Sequence, residues 1–129
     1  MNKPAKNIQQ ETVEAKDKAK QLPIPKGYKI LIALPDIEET TKGGIIKASE
    51  TRRVEEVGSI VGFVLSMGDD CYKDKNRFPN GPYCKEGDWI IMRSYSGTRF
   101  LVHGKEFRLI NDDSVEAVVE NPMGIVKVI

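Results

Sequence analysis

Two cysteines and a single histidine are the residues of this 129-residue chain best suited to chemistry. Cys71 and Cys84 bracket a turn-rich stretch, and His103 lies well downstream of both. A zinc site needs about four ligands, with close-paired thiols or imidazoles among them. These thiols stand apart, and one imidazole cannot complete the set. A disulfide across a hairpin is the second possibility, and ordinary reduced thiols near its base are the expected state. The chain has no phosphate-cradling glycine loop and no nucleophile motif, so no enzyme activity and no bound cofactor are expected.

A binding motif is the better candidate. Gly43-Gly44-Ile45-Ile46-Lys47 sits in residues 36–57, a stretch that is acidic, Thr-rich and poor in large aliphatics. An irregular segment of that length inside a small domain is uncommon and usually functional or disordered. The two glycines supply backbone freedom that other residues lack. Glu38, Glu39, Thr40 and Thr41 keep the flank solvated, and Ile45 and Ile46 form an apolar hook.

The elements that must position this loop read as strands. Residues 28–34 form a β-branched and aromatic run ending at Pro35, and Gly58-Ser59-Ile60-Val61-Gly62-Phe63-Val64-Leu65-Ser66-Met67 is the most strand-like segment. Pro79-Asn80-Gly81-Pro82 is a strong turn signal inside a hairpin expected over 69–86. Further strands are expected at 89–92, 99–102, 107–110, 115–120 and 125–129. Residues 1–24 are polar and read as a flexible extension, 25–122 as the folded unit, and 123–129 as a C-terminal strand extension. Many short strands with almost no helical period indicate an all-β barrel or sandwich.

Charge narrows the partners. Twenty Lys and Arg stand against nineteen Asp and Glu, which leaves no basic footprint for nucleic acid. The best apolar run, residues 60–65, is far short of the ~20 residues of a spanning helix, so no membrane role is expected. The first twenty residues hold no apolar signal core and no Arg, and the expected compartment is the cytoplasm.

Several pieces in a fixed order resemble one family. A strand is followed by the Gly43-Gly44-Ile45-Ile46 loop, then the Gly58 to Gly68 strand and the hairpin insertion. Lys85-Glu86-Gly87-Asp88-Trp89-Ile90-Ile91, Tyr95-Ser96-Gly97-Thr98 and the run from Lys105 to Glu120 complete the pattern. From about Gly27 to Glu120 the chain resembles the GroES/chaperonin-10 co-chaperonins. The terminal extensions and Lys47, where the family usually has a third apolar residue, fit a divergent member, phage-encoded or otherwise specialised, and for a phage-encoded one the compartment would be the host cytoplasm.

The resemblance implies a small, partially open GroES-like β-barrel with a mobile loop and a roof β-hairpin. It implies a homo-oligomeric ring, a heptamer in the family, that caps the apical domains of a large GroEL-type chaperonin and encloses unfolded substrate protein. ATP would be bound and hydrolysed by that partner. Gly43, Gly44, Ile45, Ile46 and Lys47 would contact the chaperonin. Lys73, Asp74, Lys75 and Arg77 would lie in the roof hairpin, and Tyr95 in a turn facing the cage. Tyr28, Ile30, Val118, Val126 and Val128 would lie at subunit interfaces, since the family joins subunits through terminal strands. Trp89 opens a strand and fits a core or interface place better than ligand stacking.

Magnitudes explain why such a loop needs a ring. Burying two Ile side chains contributes about 3–6 kcal/mol. Ordering about ten loop residues costs roughly 10 kcal/mol or more. Main-chain hydrogen bonds and flanking contacts must offset the difference, and several loops on one ring raise avidity by about 10²–10⁴. Lys47 either lays its stem on apolar surface or points to solvent beside a two-residue hook. Two other classes stay open: a viral structural ring protein with the same barrel, and a barrel that binds single-stranded nucleic acid. The near-zero net charge and 7% aromatic content disfavour the last.

Overall fold

The computed structural model describes residues 21–35 and 59–128. Within them, six strands follow one another: β1 Lys29–Ala33, β2 Val61–Met67, β3 Trp89–Met92, β4 Thr98–Val102, β5 Lys105–Asn111 and β6 Val115–Val119. They form a single antiparallel sheet in the order β4-β5-β1-β2-β3-β6. β4 and β6 are its two edges, and the sheet curls without their pairing, which is the partially open barrel architecture.

Period-two burial builds the core. Ile30 and Ile32 of β1, Val64 of β2, Ile90 and Met92 of β3 and Ile110 of β5 are all fully buried in one cluster. Directly opposed residues share a sheet face, so Ile30 stands with Ile110, and Ile32 with Arg108. The β4–β5 connection is a two-residue turn, His103-Gly104, with φ of +49° and +80°. Positive φ at both central positions is the type I′ signature, whose twist matches that of the strands it joins. Gly97 serves another need: a Cβ there would lie 2.2 Å from the Leu109 carbonyl oxygen.

Two strand expectations are corrected. Residues 69–86 hold turns and no paired strands. Pro79 and Pro82 lack the N–H groups a ladder needs, so the excursion closes through side chains instead. Residues 125–128 likewise take no strand, and among the described residues no strand is hydrogen-bonded beside them. The expected loop at 36–57 and most of the N-terminal extension lie outside the described residues.

Candidate functional site

β1 and β2 lie side by side, with Ala33 opposite Phe63, so both stems of the 36–58 segment leave one end of the barrel. Each stem is held by a cation of β5. Lys105 Nζ donates to the Leu34 carbonyl oxygen at 3.2 Å, and Arg108 Nη1 donates to the Ser59 carbonyl oxygen at 3.1 Å. The next carbonyl, of Ile60, accepts from Met92 N at 2.8 Å and ties the returning stem to β3.

Arg108 has 0% exposure, and burial pulls its pKa down while Glu106 pulls it back up. Arg99 stands directly opposite Arg108 across the β4–β5 pair, an arrangement that like charges alone would disfavour. Glu106 resolves it. Its Oε1 accepts from Arg99 Nε and Nη2 at 3.1 and 3.0 Å, and its Oε2 lies 3.5 Å from Arg108 Nη2. No sequence signal pointed to this network, since an Arg within a strand ordinarily reads as surface. The hook residues Gly43, Gly44, Ile45, Ile46 and Lys47 lie outside the described residues.

The 69–86 excursion is organised by Tyr72, Phe78 and Tyr83, whose rings meet pairwise at 4.9–5.3 Å. Tyr72 takes φ +60° and locks onto Asp112, which is 1% exposed. Tyr72 N donates to Asp112 Oδ2 at 3.1 Å, and Tyr72 Oη donates to the Asp112 carbonyl oxygen at 2.8 Å. Lys73, Asp74, Lys75 and Arg77 are all exposed. Asp74 is a turn former, its Oδ1 accepting from Asn76 N and Arg77 N at 2.9 and 3.3 Å. Arg77 pairs with Asp113 at 2.8 Å and lies over the Phe78 ring, so these two residues shape the excursion itself.

Cys71 and Cys84 are free, buried thiols. Cys71 Sγ donates to the Lys29 carbonyl oxygen at 3.3 Å, and Cys84 Sγ lies 3.5 Å from Tyr72 Oη. Burial, and after it the charge of Asp112, pushes the Cys71 thiol up to about 11. Burial also raises Cys84 and Tyr72. Among the described residues no group of three metal-binding side chains occurs.

Tyr95 is exposed at φ +61°, with Lys127 Nζ 5.0 Å from its ring centre. Tyr28, Val118, Val126 and Val128 are exposed, as an interface place would need. Ile30 is not. At 0% exposure it belongs to the core of its own chain, because inward β1 positions pack on β5, and its side chain has no surface to give a neighbour. Trp89 is half-buried against Phe63, with ring centres 5.0 Å apart.

The sequence model of the chaperonin 10 Kd subunit family matches residues 23–119, which span all six strands. The chain belongs to the chaperonin-10 family. Similar proteins include a co-chaperonin GroES of Lactobacillus delbrueckii subsp. bulgaricus, 28% identical over 97 residues, with 74% of this chain and 97% of that one covered. Another is the co-chaperonin GroES of Caldicellulosiruptor saccharolyticus, 29% identical over 97 residues, covering 75% and 96%. A third, from Staphylococcus epidermidis, is 27% identical over 96 residues, covering 74% and 97%. Chaperonin-10 proteins are non-enzymatic co-chaperonins. In this member the matched segment stops at Val119, and residues 120–128 lie beyond it.

Proposed function

We propose that this chaperonin-10 chain assembles into a ring, a heptamer, that closes the folding chamber of a large GroEL-type chaperonin in its nucleotide-bound state. The observation that carries the proposal is the family match over residues 23–119, which includes the Gly43-Gly44-Ile45-Ile46 segment inserted between β1 and β2. Ile45 and Ile46 dock in an apolar groove of the partner's apical domain, and Lys47 lies at the rim of that contact. The glycines let the segment adopt the docked shape. Lys105 and Arg108 fix the two points from which it departs, so that each subunit presents its hook in the same direction. The partner supplies ATP hydrolysis, and unfolded substrate protein is confined beneath the lid. The place of action is the cytoplasm.

Neighbouring subunits join through terminal segments: the residues before β1, with exposed Ile24 and Tyr28, meet the free edge of β6, with exposed Val118. The 69–86 excursion forms the roof, with Lys73 and Lys75 turned to its opening, and Tyr95 faces the cage. Hydrogen exchange over residues 36–58, with and without a large chaperonin and ATP, tests the docking. Protection centred on Ile45 and Ile46 that needs both partner and nucleotide is the expected result. No protection with any chaperonin would leave a structural ring protein as the better reading.

A further inference from the structure

Three points of the chain gather at one end of the barrel. Leu34 and Ser59, the two stems of the 36–58 segment, are held there by Lys105 and Arg108 of β5. Gln21 is the third. Its Oε1 is hydrogen-bonded to Nε2 of His103, in the β4–β5 turn two residues before Lys105. The segment from Gln21 to Tyr28 therefore runs the length of β1, because the Tyr28 carbonyl oxygen accepts from Asp112 N at 3.0 Å where β5 finishes. The 69–86 excursion starts at that second end: Met67 stands opposite Ile30, and Gly68 N donates to the Lys29 carbonyl oxygen at 2.8 Å.

A tight reversal decides which end receives residues 1–20. Lys29 N donates to the Lys26 carbonyl oxygen at 3.1 Å, with Gly27 at φ +61°. Without it, a chain running straight into β1 would bring those residues in beside the excursion. With it, they join the folded unit beside the two stems, as far from the excursion as β1 allows.

Reach and charge fit a partner on that side. Twenty extended residues span at most about 70 Å, twice the ~35 Å open to residues 36–45 ahead of Ile46. Lys3, Lys6, Lys16, Lys18 and Lys20 outnumber Glu11, Glu14 and Asp17, and the aliphatics Ile8 and Val13 stand apart. Such a segment suits an anionic surface and not an apolar groove. Exposed ion pairs are individually weak, but a tether beside an anchored hook raises their local concentration, and a ring repeats them.

We infer that residues 1–20 make a second contact with the chaperonin: delivered beside the hook by the Gln21–His103 pair, their lysines meet an anionic surface of the partner next to the groove that takes Ile45 and Ile46. The inference rests on the lid reading above and adds a partner contact outside the family segment, which begins at residue 23.

ATP-dependent capture by a large GroEL-type chaperonin, titrated at low and at high salt, tests it. The full chain is compared with a chain starting at Gln21 and with Lys16→Glu/Lys18→Glu/Lys20→Glu. Sedimentation velocity and the fluorescence of Trp89, packed on Phe63, report whether each forms the same ring of intact barrels. Both variants are expected to bind about tenfold more weakly than the full chain at low salt, with the gap closing at high salt. Equal binding of all three at low salt would overturn the inference and leave the lid reading standing. Tighter binding of the shortened chain would also overturn it, making residues 1–20 a shield over the hook. A loss confined to the shortened chain would overturn the anionic contact, since the lysines would then carry none of it. A full chain that binds no chaperonin would remove the lid reading and the inference with it.

Discussion

Arg108 Nη1 donates to the carbonyl oxygen of Ser59 at 3.1 Å, from a strand position with no exposure to solvent. The pair joins β5 to the point where the chain re-enters the sheet after residue 58. Burying a guanidinium is costly unless it is paired and hydrogen-bonded. Ser59 accepts a hydrogen bond from Arg108, Glu106 offsets its charge from 3.5 Å, and Arg99 shares the same carboxylate.

Removing the carboxylate should therefore hurt more than removing the cation. Glu106→Ala leaves Arg99 and Arg108 opposed across two strands and should cost roughly 3 kcal/mol. Arg108→Met keeps an apolar stem beside Ile32 and leaves Glu106 with Arg99, but it strips the Ser59 carbonyl of its donor and should cost about 1–2 kcal/mol in stability. Urea unfolding at one fixed protein concentration checks both, with the midpoints compared at unchanged slope. A larger loss for Arg108→Met than for Glu106→Ala would mean that the carboxylate is not what makes the buried guanidinium tolerable.

The Tyr72–Asp112 lock makes a second case. The Tyr72 hydroxyl donates to a buried carbonyl at 2.8 Å, and Tyr72→Phe leaves that acceptor without its partner. A loss of about 1–2 kcal/mol is expected, with the Phe78 and Tyr83 ring contacts retained. Equilibrium unfolding reads the loss. A stability equal to that of the parent chain would mean that the aromatic packing alone holds the 69–86 excursion.

Strands were the readable part of this sequence, and the reason is local. Alternation in β1, β2 and β3, and turn residues such as His103-Gly104 and Pro79-Asn80-Gly81, act over a few neighbours. What escaped depends on distant partners. Arg108 meets Ser59 across 49 positions, and Tyr72 meets Asp112 across 40. A hairpin was expected over 69–86 because turn signals stood between strand-forming residues, yet the prolines and the ring cluster favour a turn-rich excursion. The family's pairing of terminal strands points Ile30 to an interface, and only the register with Ile110 shows it facing inward. The hook motif at 43–46 was legible by type and order alone, which is where its reading rests.

Alkali should weaken the fold through the buried thiols. The Cys71 thiol loses its proton near 9.0 in an ordinary setting and near about 11 when folded. The folded chain thus holds the proton more tightly, and the stabilisation is complete below pH 9 and is lost as pH rises towards 11. Cys84 and Tyr72 are raised by the same burial and act in the same direction. Unfolding midpoints measured from pH 7 upward should stay level to about pH 9 and then fall. At neutral pH, a thiol reagent should label neither cysteine at an appreciable rate until denaturant is added, because the thiolate is the reactive form. Rapid labelling of the folded chain would show that these thiols are reached without unfolding.

The hook supplies the sharpest functional prediction. Each Ile side chain contributes about 1.5–3 kcal/mol when buried. A single loop gains little after ordering costs, so the ring depends on several weak contacts acting together. Ile46→Asp replaces one apolar anchor in every loop with a charge that must be desolvated, and the losses multiply around the ring. Its expected effect is loss of ATP-dependent co-migration with a large chaperonin on sizing, at unchanged ring size and unchanged Trp89 fluorescence. Lys47→Ala distinguishes the two roles left open for that side chain: weaker binding means that its stem covers apolar surface, and equal binding means a two-residue hook. Undiminished capture by the Ile46→Asp ring would place the chaperonin contact elsewhere on the molecule.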